Sequence, residues 1–165
     1  MASLPAAMRA ELRPIDHVSE EDVRQACYRL WVAGDRWAPP RRNAATICLL
    51  AFSKLTVAEV LSLTLEDAAK LYLPPLGWEA LDHWLTHRRR WTCHWIDTAP
   101  LLCTCKTGTP RPRRQTQDDV TRAFRHLGVN VTPSVLKRSE PSTGRVACPE
   151  TLRRRLERRR PRQPV

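Results

Sequence analysis

The residues from Ala44 to Phe52 form an apolar run with almost no polar position in it. A helix that is apolar on every side is typical of the centre of a core. The segment Ser53-Lys54-Leu55 interrupts the run, and Thr56 and Glu59 then have the spacing of a capping box. The pattern predicts a buried helix followed at once by a second helix, with Thr64 to Asp67 as its polar exit.

Another periodic segment precedes this pair of helices. Apolar residues between Val23 and Trp31 recur at the spacing of one buried helical face, and Ser19 to Asp22 has the pattern of a capping box at its start. We expect a loop from Gly34 to Pro40, because the Pro39-Pro40 pair disfavours regular structure.

The second half of the chain shows the same alternation of turns and helices. Leu71 to Leu73 is a predicted short strand, and the apolar positions from Trp78 to Leu85 predict a helix that reaches about Arg90. Thr116 to Asp119 has the pattern of a third capping box, and the helix that it opens is expected to stop at Gly128.

The distribution of charge along the chain says more about possible binding partners than the net charge of +11 does. Residues 1–87 contain 9 basic and 11 acidic side chains, whereas residues 88–165 contain 19 basic and 6 acidic ones. A strongly basic segment favours a polyanionic partner, and nucleic acid comes first among these. A solvated basic tail without a specific target is the alternative interpretation.

The length of 165 residues predicts one domain with a sizeable core. We expect a flexible arm at residues 1–17, a helical domain at 18–147 and an arginine-rich helix or tail at 148–165. The last helix has two apolar anchors, Leu152 and Leu156, so we expect it to become ordered only on a partner. Neither a signal peptide nor a membrane-spanning run is recognisable, so we expect a cytoplasmic protein, nucleoid-associated if bacterial.

The six cysteines are expected to stay reduced in that compartment. Cys27 and Cys48 lie on apolar helical faces and are interpreted as core residues. A group of zinc-binding residue types is close in sequence but lacks the usual paired C-x2-C spacing: Cys93, His94, Cys103 and Cys105. We therefore expect no metal and no cofactor.

The order of these elements resembles the catalytic domain of tyrosine recombinases, the phage-type integrases. In that family a buried helix runs into a Gly-Leu-Arg turn and a short helix beginning Ile-Ser-Glu, and Leu55 to Glu59 lies at this place here. Val131-Thr132-Pro133 is similar to the lead-in of the family's His-x-Leu-Arg motif. The resemblance covers about residues 18–138 and implies a mainly α fold: a compact multi-helix domain with the family's β-hairpin reduced or absent.

The reactive groups of the family are missing from the positions that the resemblance assigns to them. Its first catalytic arginine falls on Thr56, its acid/base histidine on Ser134 and its second arginine on Lys137. Lysine keeps a positive charge but loses the two-pronged contact with phosphate that arginine makes. The stretch between Asp67 and Leu73 is too short for the lysine-bearing hairpin.

The nucleophile of the family is a tyrosine near the C-terminus, and this chain has no tyrosine there. Its two tyrosines, Tyr28 and Tyr72, both precede Ser134, and we interpret both as packing residues. Loss of one preorganised catalytic contact typically lowers a rate by ~10²–10³. Loss of the whole set therefore predicts that the chain does not cleave strands.

The resemblance and the charge together predict a catalytically inactive, DNA-binding protein without the family's N-terminal core-binding domain. We expect phosphate-backbone contacts from basic residues of the second half: Arg88, Arg89, Arg90, Lys106, Arg111, Arg113, Arg114, Arg122, Arg125, Lys137, Arg138, Arg153, Arg154 and Arg155. The alternative is a protein-interaction module or eroded mobile-element remnant, which would modulate a partner recombinase or self-associate without specific DNA binding. An unrelated enzyme is disfavoured, because no Ser/His/Asp pattern, glycine-rich phosphate loop or H-E-x-x-H motif is present.

Overall fold

The computed structural model describes residues 13–34, 38–91, 99–104, 109–141 and 144–157. Its helices are α1 (Glu20–Ala33), α2 (Ala38–Phe52), α3 (Val57–Ser62), α4 (Leu65–Ala68), α5 (Pro75–Trp91), α6 (Arg113–Ala123), a 3₁₀ helix (Arg125–Leu127), α7 (Pro133–Lys137) and α8 (Glu150–Glu157). Its strands are β1 (Arg13–Pro14), β2 (Tyr72–Leu73), β3 (Val129–Asn130) and β4 (Val146–Ala147). The fold is mainly α, as the sequence predicts.

Helix α2 is the centre of the domain. Every residue from Ala44 to Phe52 is buried, and α2 packs against α1, α5, α6 and α7. The prediction of a central buried helix is confirmed. The predicted loop up to Pro40 was wrong at its end, because α2 begins at Ala38 and takes in Pro39 and Pro40. Prolines are tolerated in a first helical turn, whose N–H groups have no acceptor within the helix.

The start of α1 follows the sequence pattern. Ser19 Oγ accepts a hydrogen bond from the Asp22 backbone N–H at 3.1 Å, and Val18 and Val23 are buried on either side of this cap. Further along α1, Cys27 Sγ lies 3.5 Å from Cys48 Sγ of α2. Both cysteines are core residues, as predicted, and the hydrogen bond with Cys27, together with burial, raises the pKa of the Cys48 thiol.

Four short strands join distant parts of the chain in pairs. β1 pairs in parallel with β3, and β2 pairs antiparallel with β4. The predicted strand at residues 71–73 is therefore present, and its partner lies close to the start of α8. Trp78 of α5 reinforces this pair, because its indole Nε1 donates to the carbonyl oxygen of Val146 at 3.0 Å. Of the predicted flexible arm, residues 1–12 lie outside the described part.

Two predicted capping segments have other roles in the structure. Thr116 is buried inside α6 and its hydroxyl donates to the carbonyl oxygen of Pro112, so the helix begins at Arg113 and the predicted third capping box was wrong. Thr64 is an N-cap rather than part of an exit, because its side chain and that of Asp67 form a capping box for α4.

The described part of α8 packs on the core. Leu152 and Leu156 are buried, and the Arg155 guanidinium donates to the Asp82 carboxylate and the Thr86 hydroxyl of α5. These contacts give this short helix both an apolar and a polar attachment. Among the described helices, none combines the length and the apolar character needed to cross a membrane.

Candidate nucleic-acid interface

Thr56, the residue on which the sequence resemblance places an arginine, caps helix α3. Its Oγ1 accepts from the Glu59 backbone N–H at 3.2 Å, and Glu59 Oε1 accepts from the Thr56 backbone N–H at 3.0 Å. This reciprocal capping box confirms the sequence prediction. The Thr56 hydroxyl therefore does structural work at the helix start, and Thr56 itself is exposed.

Lys54 fastens the turn before α3 to the end of α7. Its Nζ donates to the carbonyl oxygens of Lys137 and Ser139, at 3.1 Å in each case, and to Glu140 Oε1 at 2.8 Å. Arg145 adds a second tie, because its Nε donates to the carbonyl oxygen of Phe52 at 2.8 Å. The turn at residues 53–56 and the segment at 137–140 therefore lie side by side.

Ser134 and Lys137 stand on the same short helix, which the sequence pattern predicts correctly at its start. Thr132 Oγ1 accepts from the Val135 backbone N–H at 3.4 Å, and Pro133 occupies the first helical turn. Residues three apart share a helical face, so Ser134 and Lys137 point to the same side of α7. Both are exposed. Thr56, Ser134 and Lys137 thus belong to one surface, here termed the α3–α7 face, together with Lys54, Glu59 and Glu140.

The electrostatics of the α3–α7 face are mixed. Hydrogen bonds from Thr56 lower the pKa of the Glu59 carboxyl, and the nearby Lys137 ammonium lowers it further. The hydrogen bond and the charge of Lys54 likewise lower the pKa of the Glu140 carboxyl. Both carboxylates are therefore ionised at neutral pH, and they offset part of the positive charge of Lys54 and Lys137.

Two of the arginines predicted to contact DNA are internal. Arg88 is 1% exposed, and its Nη2 donates to the carbonyl oxygen of Pro100 at 2.8 Å. Burial lowers the pKa of its guanidinium. Arg111 donates through Nε and Nη2 to the two carboxylate oxygens of Asp119, at 2.7 and 3.2 Å. Their assignment to a phosphate-binding surface is corrected, because both guanidinium groups are bound inside the protein.

Other predicted basic residues are on the surface. Two of these side chains, Arg122 and Arg155, are partly exposed. The exposed ones are Arg113, Arg114, Arg125, Lys137, Arg138, Arg153 and Arg154. Those of α8 have local partners: Arg153 donates to the carbonyl oxygen of Cys148 and Arg154 pairs with Glu150 at 2.6 Å. Lys106 and the side chains of Arg89 and Arg90 lie outside the described residues.

The two tyrosines are surface residues, and their interpretation as packing residues was wrong. Tyr28 is 54% exposed and Tyr72 is 64% exposed. Tyr72 alternates with buried Leu73 in β2, so its ring points away from the core. Tyr28 keeps one ordered contact, an edge-on approach to Trp31 with ring centroids 5.4 Å apart.

The structure describes one member of the group of zinc-binding residue types, Cys103, which is fully buried. The other three members lie outside the described residues. Within the described ranges, no three His, Cys, Asp or Glu side chains come together in a way that could hold a metal ion.

Sequence reasoning missed Lys54 and Arg145, whose side chains bind backbone carbonyl oxygens of distant segments. A signal for Lys54 lies in the sequence resemblance, which places the glycine of the Gly-Leu-Arg turn on Lys54. Lys54 has φ 63°, a left-handed conformation that glycine adopts at little cost. No comparable signal marks Arg145.

Comparisons with known proteins show the fold. No protein-family model and no curated protein matches the sequence. Among solved structures, the chain is similar to one described as the crystal structure of XerA recombinase, with a TM-score of 0.52 and 18% sequence identity. The match covers 76% of this chain and 47% of that chain, so it spans about half the length of that protein. The fold is therefore that of a recombinase-like helical domain with a reduced sheet.

Proposed function

We propose that this chain is a catalytically inactive, recombinase-like protein that holds duplex DNA by its phosphate backbone. The observation that supports the proposal most is the Lys54 bridge, which joins the Thr56 turn to the Lys137 end of α7. This bridge places the two segments side by side, and Lys137 and Arg138 are exposed at the end of α7.

The α3–α7 face also supports the proposed absence of strand-cleaving activity. Thr56 stands where the resemblance places an arginine, and its hydroxyl accepts a hydrogen bond in the α3 cap. Lys137 stands where the resemblance places a second arginine, and its ammonium group is a point charge near Glu59. A point charge attracts a phosphate without the fixed fork that orients it. We therefore expect the chain to bind the DNA backbone without cleaving it.

Duplex binding is tested by fluorescence anisotropy with a labelled duplex over a series of salt concentrations. We expect a log–log slope of several, because each neutralised phosphate contributes about 0.9 to it. The double variant Lys137→Ala/Arg138→Ala should lower the slope by about two. Lys70→Ala is the matched control, since Lys70 is exposed and near Glu66, at 3.8 Å. A flat salt dependence, or an equal loss in the control, would favour the protein-interaction alternative.

Inactivity is tested with a nicked duplex substrate that traps a phosphotyrosine adduct. No covalent protein–DNA band should form on a denaturing gel. An adduct that disappears in Tyr28→Phe or Tyr72→Phe would overturn the proposal, because these are the two tyrosines of the chain.

A further inference from the structure

A cleft of about 400 Å³ opens between α1 and the end of α6, and none of the residues named for the α3–α7 face is in its described lining. Its described lining consists of Arg29, Leu30, Arg122, Ala123, Arg125 and His126. Three arginines and one histidine thus contribute to the lining of one depression. This α1–α6 cleft has the charge and the hydrogen-bond donors that a phosphate group requires.

Arg29 and His126 both line the cleft, and the charge of Arg29 acts on the imidazole of His126. Burial lowers the pKa of the His126 imidazole, and the charge of Arg29 lowers it further, whereas Asp22 and a hydrogen bond with Ala123 act in the opposite direction. Arg29 belongs to α1 and His126 to the 3₁₀ helix, so the two sides of the cleft come from separate elements of the fold.

An apolar depression adjoins the cleft and shares Arg29 with it. Tyr28, Arg29, Val32 and Ala33 line this second depression. Tyr28 and Val32 are 54% and 78% exposed, so both side chains present apolar surface to solvent. The Tyr28 ring packs edge-on against Trp31. The Trp31 ring in turn stacks on His83, with ring centroids 4.5 Å apart.

We propose that the α1–α6 cleft and Tyr28 form a binding site for single-stranded nucleic acid. A backbone phosphate lies between Arg29 and Arg125, and the adjacent base stacks on the Tyr28 ring. Basic grooves flanked by aromatic rings bind single strands without sequence preference, because every base presents a π-face. The site includes neither Lys137 nor Arg138, the two residues whose substitution tests duplex binding.

The test is fluorescence anisotropy with a labelled oligothymidylate and the full chain. Tyr28→Ala should weaken binding on the order of tenfold, whereas Tyr28→Phe, which keeps the ring, should bind like the original chain. Arg29→Ala and Arg125→Ala should each lower the log–log salt slope by about 0.7. Arg24→Ala is the control on the same helix, because Arg24 is near Glu21 at 3.7 Å and does not line the cleft.

Three outcomes would overturn the proposal. Unchanged affinity in Tyr28→Ala would contradict base stacking on the Tyr28 ring. A loss of affinity in Arg24→Ala equal to that in the cleft variants would show that net charge alone accounts for binding. Unchanged salt slopes in the Arg29 and Arg125 variants would remove the phosphate contact. The Lys137→Ala/Arg138→Ala variant should keep its affinity for oligothymidylate, so the failure of the duplex proposal is distinguishable from the failure of this one.

Discussion

Arg111 and Asp119 form a two-pronged ion pair whose side chains are 11% and 5% exposed. The pair joins the segment before α6 to the middle of that helix. A buried pair of this kind is strongly coupled, since removal of one partner leaves the other charge without compensation. Arg111 is therefore expected to contribute to folding rather than to DNA binding.

The single substitutions Arg111→Met and Asp119→Leu should each lower the free energy of unfolding by about 3 kcal/mol, measured by urea denaturation. The double variant should be more stable than either, because no isolated charge remains. Arg113→Ala is the control, since Arg113 is exposed in the first turn of the same helix. A double variant less stable than both single ones would contradict a coupled pair.

Replacement of Lys54 separates its side chain from its backbone conformation. Both Lys54→Ala and Lys54→Gly remove the bridge to Lys137, Ser139 and Glu140. Glycine also accepts φ 63° without steric cost, so Lys54→Gly should be the more stable of the two by about 1 kcal/mol in urea denaturation. Equal stabilities would show that the turn relaxes when the bridge is lost.

His83 should make stability depend on pH. Burial, followed by the charge of Arg41, lowers the pKa of the His83 imidazole, and Arg41 Nη1 lies 2.9 Å from its Nδ1. The unfolded chain takes up the proton first as pH falls, so this stability is complete above the unfolded pKa of about 6.5 and is lost below it.

The measurement is Tm between about pH 7.5 and pH 5 for the original chain and for His83→Gln. The variant should lose less Tm over this range, because glutamine does not titrate. His17→Gln is the control, since His17 is exposed. Parallel profiles for the His83 variant and the original chain would contradict the proposed role.

Leu156 tests whether α8 belongs to the folded domain. Leu156→Ala should lower the free energy of unfolding by about 2–3 kcal/mol in urea denaturation, because the side chain is 7% exposed and packs on the core. Val32→Ala, at a position that is 78% exposed, should change stability by less than about 0.5 kcal/mol. A neutral Leu156→Ala would return α8 to the role of a tail that becomes ordered on a partner.

The sequence predicted the central helix because burial on every side leaves an unmistakable pattern. Local hydrogen bonds were also predictable where they depend on residues three apart, as in the cap formed by Thr56 and Glu59. Thr116 shows the limit of that method, because a matching pattern inside a helix has the same spacing as one at its start.

The candidate site was less predictable, since charge along a chain does not reveal which charged groups are internal. Arg88 and Arg111 looked like phosphate ligands, yet one binds a carbonyl oxygen and the other a carboxylate. The ties of Lys54 and Arg145 join residues more than eighty positions apart, so no local pattern could indicate them.

The all-round burial of α2 also bears on how the chain is made. Helices α5, α6 and α7 cover α2 but follow it in the sequence, so a growing chain leaves part of the apolar surface of α2 uncovered until residue 137 has emerged from the ribosome. Unsheltered apolar surface of this kind promotes aggregation during synthesis. The yield of folded protein is therefore expected to depend on translation speed and on chaperones that shelter nascent chains.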